Sequence, residues 1–156
     1  AGSGIPQESI ADIWQLIDTL YCERAHNLTW NSWVTPDVWK KLDSLRFLGF
    51  EISFATPEMV RLKGGPLLKE VISNMELNSF PNATKFYMYS AHDITVVSLL
   101  SAMKVYFNQP PIYRALVIVE LHEINNVSEV KIFYKNDTTR EPYELSVPGC
   151  GSPCTL

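Results

Sequence analysis

The sequence predicts an α/β chain: a helical stretch to about residue 80, then strand–helix–strand–strand over 81–156. Three observations carry this. Apolar residues recur at helical spacing through the first half. Ala115–Leu121, "ALVIVEL", is a nearly unbroken apolar run of strand length, the pattern of a strand at a sheet centre. Glu129–Lys135 alternates, with Val130, Ile132 and Tyr134 on one face. A chain of 156 residues is long enough for one domain with a sizeable core.

The elements follow in order. Ile10, Ile13, Trp14, Ile17, Leu20 and Tyr21 mark an amphipathic helix over 9–23. Thr35-Pro36-Asp37 supplies an N-cap, an N1 proline and a first-turn acid. That signal opens a helix to about Gly49 that buries Val38, Leu42 and Leu45. Thr56-Pro57-Glu58 repeats it for a short third helix. Gly64-Gly65-Pro66 is expected to end that helix and open another, with Leu68, Val71, Ile72 and Met75 inward. Phe86–Tyr89 reads as a short aromatic strand. Ile94–Val105 reads as a helix apolar almost all round, hence buried. Asn125-Asn126 is the hairpin turn before Glu129–Lys135. Residues 1–80 thus form a helical segment and 81–156 part of an α/β domain. Three strands are few for such a domain, so further strands are expected from outside this chain.

Composition narrows the function. Hydrophobic residues make up 46% and charged residues 19%, with a net charge of −4, so the chain is globular and not a basic nucleic-acid binder. No run approaches the ~18–20 apolar residues of a membrane helix. The opening "AGSGIPQES" lacks the layout of a signal peptide. Either a signal was removed by processing or the chain starts within something larger.

The compartment can be argued from sequons and cysteines. Asn-X-Ser/Thr occurs at Asn27, Asn82, Asn126 and Asn136, four times with only 9 Asn and 22 Ser or Thr in 156 residues. Chance gives roughly one, so glycosylation at these asparagines is expected. Cys150 and Cys154 lie in the loop "PGCGSPC" and suit a small disulfide in an oxidising compartment. Half a zinc site is the alternative, but no second Cys or His pair is spaced to complete it. Cys22 is left over, either a buried thiol or paired outside this chain.

The candidate site is the junction in "KFYMYSAHDITVVSLL", residues 85–100. In α/β units, ligands bind where a strand's C-terminal end meets a helix N-terminus. The free N–H groups and dipole there favour an anion, phosphate above all. A protonated His92 could donate a hydrogen bond to a phosphate oxygen, and Asp93 could act as a general acid toward a leaving oxygen. The plainer alternative is that Asp93 caps the helix and His92 fills a turn.

"MYSAHDITVVSLLSAM" resembles the second active-site motif of the histidine acid phosphatases, which share the phosphoglycerate-mutase-like fold. "LYCERAHNLTWNSW", "RLKGGPLLKEVISNM", "VELHEINNVSEVKIFYKN" and "EPYELSVPGCGSPC" are similar to matching segments of the animal secreted and lysosomal members, the prostatic, lysosomal and insect venom forms above all. The resemblance implies hydrolysis of phosphate monoesters without a metal or other cofactor. A histidine in an Arg-His-Gly-X-Arg-X-Pro motif takes the phosphoryl group, and arginines clamp it. The histidine of the His-Asp pair binds phosphate, and its aspartate protonates the leaving alcohol. These two roles fall on His92 and Asp93.

The departures are as informative. Arg-His-Gly does not occur, and His26 and His122 lack its flanking residues. Arg24, Arg46, Arg61, Arg114 and Arg140 stand singly. The chain therefore reads as the C-terminal part of such an enzyme, inactive alone, with the N-terminal half of the same enzyme as its partner. A homodimer of the whole is also compatible. The resemblance implies that the cysteine of "LYCE" pairs with one in the strand before the relatives' "TEL", yet the corresponding "YRALVIVEL" has none, so Cys22 is expected to be a thiol or to be paired differently. Trp14 sits where the family's helical cap overhangs the site and is a candidate to line the substrate pocket. Its spacing with Ile10 and Ile17 favours the core. The rival to an enzyme is a non-catalytic secreted glycoprotein, a degenerate binder or venom antigen. A phytase or inositol polyphosphate phosphatase would carry more basic charge than this acidic chain.

Overall fold

The computed structural model describes residues 10–80, 82–107 and 109–155. The opening segment, and with it the start of the first expected helix at residue 9, lies outside them. The chain forms two compact units, residues 1–53 and 54–156.

The first unit is a helical pair, α1 (Ile10–Ala25) and α2 (Pro36–Ser53). α1 ends because Asn27 takes a left-handed conformation, φ 56°, tolerable for Asn. Leu28 N–H then reaches back to Glu23 O at 2.9 Å and Asn27 N–H to Arg24 O at 3.1 Å, which satisfies the orphan carbonyls. α2 starts as expected: Thr35 Oγ1 accepts from Val38 N–H at 3.3 Å, and Pro36 is the first helical residue. Leu20, Val34 and Trp39 form the core, with Leu16, Trp30, Trp33 and Leu42 against them. Arg24 lies over Trp30 and Trp39, and Arg46 over Tyr21 at 4.4 Å, so both guanidinium stems cover aromatic surface.

The second unit holds α3 (Pro57–Glu76), a 3-10 turn (Leu77–Ser79), α4 (Asp93–Ala102) and three strands. Thr56 caps α3 through Met59 N–H at 3.2 Å. The helix does not stop at Gly64-Gly65-Pro66 as the sequence suggested; it runs through all three. Packing overrides the local breakers. Gly64 is buried against α4, where a Cβ would stand 2.1 Å from Ser98 O, while Leu67 and Leu68 pack on the main core. Pro66 faces solvent, and its cost of ~3 kcal/mol is offset by the apolar contacts on either side.

The sheet is antiparallel, in the order β1 (Leu116–Ile124), β2 (Val127–Lys135), β3 (Tyr143–Leu145). Asn125 and Asn126 take φ 52° and 61°, the pair of left-handed residues that a two-residue hairpin needs. Register places Val119 opposite Ile132 and Val117 opposite Tyr134, with Leu145 beside Ile132. These side chains meet Leu99 and Leu100 of α4, and Met103 just after it, in the main core. Tyr134 is 3% exposed, and among the described residues its hydroxyl has no partner; burial pushes that phenol's pKa far up.

Two strand expectations change. Among the described residues β2 alone pairs with β1, which lies at the edge of this sheet. Phe86–Tyr89 joins no ladder among the described residues. Phe86 and Met88 stay 76% and 81% exposed. An apolar run becomes a strand only when a neighbour takes its N–H and C=O groups, and the described residues offer that segment none. The short strand β3, by contrast, was not expected.

Candidate active site

The junction of the 84–92 segment with α4 holds His92 and Asp93 side by side, both exposed. His92 is the N-cap, with extended backbone (φ −104°, ψ 165°) and no side-chain capping bond. Its carbonyl accepts from Thr95 N–H at 3.0 Å and Val96 N–H at 3.1 Å, which starts the helix. Its imidazole is thus left available to solvent. Asp93 is the first helical residue, and its Oδ1 accepts from Ile94 N–H at 2.6 Å. A carboxylate here is favoured by the helix dipole. Further along α4, Val97, Ser98, Leu99 and Leu100 are buried. This end of α4 therefore presents an imidazole and a carboxyl group to solvent, a pair able to bind an oxyanion and move a proton.

α3 holds this junction from both sides. Below it, Gly64 lets α3 meet the α4 backbone at Ser98. Ahead of it, Tyr89 donates its hydroxyl to Glu70 Oε1 at 2.9 Å and accepts from Asn74 Nδ2 at 2.9 Å. Burial first, then the Glu70 hydrogen bond and charge, push the Tyr89 phenol's pKa up. Lys85 Nζ donates to Asn78 Oδ1. The sequence reading did not single out Tyr89, Glu70 or Asn74. The available signal was Glu70 and Asn74 four residues apart, on one helix face.

The other candidates fall elsewhere. Trp14 belongs to the first unit, half-buried, with its ring edge-on to Phe50 at 5.5 Å and against Gly49 of α2. With Ile13, Ile17, Leu45 and Leu48 it lines a small apolar cavity. His26 is exposed after α1, and His122 pairs with Glu120 Oε2 at 2.8 Å on β1. Arg61 pairs with Glu58, and Arg140 with Asp137 at 3.2 Å. Among the described residues no three of His, Cys, Asp or Glu converge as a metal site would require.

Asn27, Asn82 and Asn126 are exposed in left-handed turns, φ 56°, 66° and 61°. Asn136 is half-buried and its Oδ1 accepts from Ile112 N–H at 3.0 Å. Cys150 and Cys154 are joined in a disulfide, Cα–Cα 5.2 Å, so Cys22 is bonded to neither. The closed loop docks on β2 through Val130 N–H to Cys154 O at 2.7 Å.

Comparison with known proteins gives the chain a family. Residues 5–133 match the model of the histidine phosphatase superfamily (branch 2). The chain is 40% identical over 159 residues to the prostatic acid phosphatase of Rattus norvegicus, covering 99% of this chain and 42% of that protein. It is 34% identical over 160 residues to the lysosomal acid phosphatase of Xenopus laevis, covering 99% and 37%. For the testicular acid phosphatase of Mus musculus the identity is 35% over 167 residues, covering 99% and 39%. The chain thus spans about two fifths of the length of these relatives. With the family model matched over most of its length, this chain belongs to the histidine phosphatase superfamily, branch 2.

Proposed function

We propose that this chain is the C-terminal part of a metal-independent acid phosphatase that hydrolyses phosphate monoesters through a phosphohistidine intermediate. The observation that carries the proposal is the exposed His92–Asp93 pair at the N-terminus of a buried helix, within a chain of this superfamily. His92 binds the phosphoryl oxygens. Asp93 gives its proton to the leaving alcohol as the P–O bond breaks. The nucleophilic histidine and the arginine clamp come from the remainder of the parent polypeptide, because no Arg-His-Gly occurs here. The chain alone is therefore inactive. Residues 1–80 serve as its helical cap.

The secretory pathway, ending in secretion or the lysosome, is the compartment we assign. The four sequons, glycosylated on this reading, and the Cys150–Cys154 disulfide support it, as do relatives whose names are prostatic and lysosomal.

The test uses the full-length parent. General acid help is worth about 10²–10⁴-fold. Asp93→Asn should cut turnover of an alkyl phosphate by that order and of an aryl phosphate less, because a good leaving oxygen needs no proton. His92→Ala should weaken phosphate binding and slow both substrates. Equal losses on the two leaving groups for Asp93→Asn would show that Asp93 only caps α4, as its bond to Ile94 N–H also allows. A parent with no phosphatase activity would favour the glycoprotein rival.

A further inference from the structure

The end of α4 that carries His92 and Asp93 has its place set further along the helix. Gly64 of α3 lies against Ser98 and Ala102, one turn apart on a single face of α4. A Cβ at Gly64 would stand 2.8 Å from Ser98 C and 2.9 Å from Ala102 Cβ, so only a bare Cα admits α4 this close. Two contacts one turn apart fix both the depth of α4 and its tilt. One turn on along α3, Leu67 and Leu68 pack on the cluster that holds Leu99 and Leu100. From this crossing toward the site the path is short and bonded. Ser98, 7% exposed, donates its hydroxyl to Ile94 O at 2.7 Å. Ile94 N–H in turn donates to Asp93 Oδ1 at 2.6 Å. Asp93 and Ser98 are about 7.5 Å apart in helix rise, and helices curve only with radii of roughly 60–100 Å. A displacement at the crossing therefore reaches the N-terminus of α4 almost undiminished.

We propose that Gly64 is a positioning residue for the His92–Asp93 pair: its missing side chain sets how closely α4 approaches α3, and through the first turns of α4 it sets where the imidazole and the carboxyl group stand. Gly64 touches no reacting atom; it acts through the helix packed on it. A side chain there would push the α4 backbone away by more than about 1 Å before ordinary contact is restored, and His92 and Asp93 move with it. The two groups do not suffer alike. A general acid works only within about 2.6–3.2 Å of the atom it protonates, so Asp93 loses its reach to the leaving oxygen. That loss falls on substrates whose leaving group needs the proton, whereas a displaced His92 affects every phosphate monoester equally. The catalytic consequence rests on the phosphatase reading; the placement of α4 rests on this geometry alone.

Two measurements on the full-length parent test it. Gly64→Ala should lower kcat on an alkyl phosphate by about 10- to 100-fold, as a misplacement near 1 Å does, and on an aryl phosphate markedly less. The alkyl-to-aryl ratio therefore falls. A merely structural role would not move that ratio, because a smaller folded fraction slows both substrates alike. Ile132→Val is the control: it removes buried core volume on β2 without crowding the crossing, and should leave the ratio unchanged. An unchanged ratio in Gly64→Ala, or the same fall in Ile132→Val, would overturn the proposal. Ala102→Val crowds the same crossing from the α4 side. It should lower the ratio too, and it decides the matter if Gly64→Ala does not fold; a ratio left unchanged by it would then overturn the proposal. The second measurement is a crystal structure of the Gly64→Ala parent, superposed on the wild type through the sheet. The Cα atoms of His92 and Asp93 should move by about 1 Å, and unmoved atoms would overturn the proposal. A parent without phosphomonoesterase activity would remove the phosphatase reading, and this displacement would still decide whether Gly64 places the pair.

Discussion

Gly64 is the position where the smallest perturbation should have the largest effect. A Cβ there would stand 2.1 Å from Ser98 O, 2.8 Å from Ser98 C and 2.9 Å from Ala102 Cβ. None of these atoms can rotate away, since two are backbone and the third is itself a Cβ. Reaching ordinary contact near 3.5 Å requires α3 and α4 to part by more than about 1 Å. Overpacking of this kind costs about 1–3 kcal/mol, and rigid neighbours put Gly64→Ala at the upper end. Replacing a mid-helix glycine returns about 1 kcal/mol through helix propensity. The net loss is then about 2 kcal/mol. Gly65, one residue on, has nothing within 4 Å of the same added atom. Gly65→Ala should gain about 0.5–1 kcal/mol from propensity alone. Native-state hydrogen exchange of the α4 amides Val97–Leu100 reads the difference: about 30-fold faster in Gly64→Ala, for 2 kcal/mol at 1.36 kcal/mol per decade, and unchanged or slower in Gly65→Ala. Equal protection in the two variants would refute the close crossing, and with it the account of why α3 runs through its glycines.

Tyr134→Phe should leave stability unchanged or raise it by about 1 kcal/mol in urea unfolding, because the buried hydroxyl has no partner to lose. The double substitution Cys150→Ala/Cys154→Ala opens a loop of sequence separation 4, so its stability cost should not exceed about 2 kcal/mol by the loop-closure relation. Asp137 should titrate below its ordinary value, chiefly because the Thr139 hydroxyl and N–H bond its carboxylate. A depressed folded value means stability present above the unfolded pKa of about 3.9 and lost as pH falls through the folded one. Thr139→Val, followed by carboxyl ¹³C shifts, should move that midpoint upward. The purified chain should not hydrolyse an aryl phosphate at mildly acid pH, and metal-independent turnover abolished by His92→Ala would contradict the inactivity expected of it.

What the sequence determined by itself was whatever depends on neighbours a few residues away. Thr35 and Thr56 cap their helices because a hydroxyl beside an N1 proline meets an orphan N–H within one turn. Asn125-Asn126 turns the hairpin because Asn tolerates φ > 0. Cys150 and Cys154 find each other across a short loop. The place of His92 and Asp93 was legible because an apolar run follows them at helical spacing, and α4 begins there. The tertiary structure decided everything that requires two distant segments to meet. Gly64-Gly65-Pro66 reads as a break until Ser98 lies against it, because the energy of the α3–α4 contact exceeds the local cost of glycine and proline. Phe86–Tyr89 has the composition of a strand, and among the described residues it has no pairing partner. Trp14 packs in the α1–α2 pair, and no spacing rule specifies the partner of a half-buried aromatic. Tyr89 meets Glu70 and Asn74 over sequence separations of 19 and 15, a pairing invisible to any local pattern because it exists only once an extended segment lies back along α3.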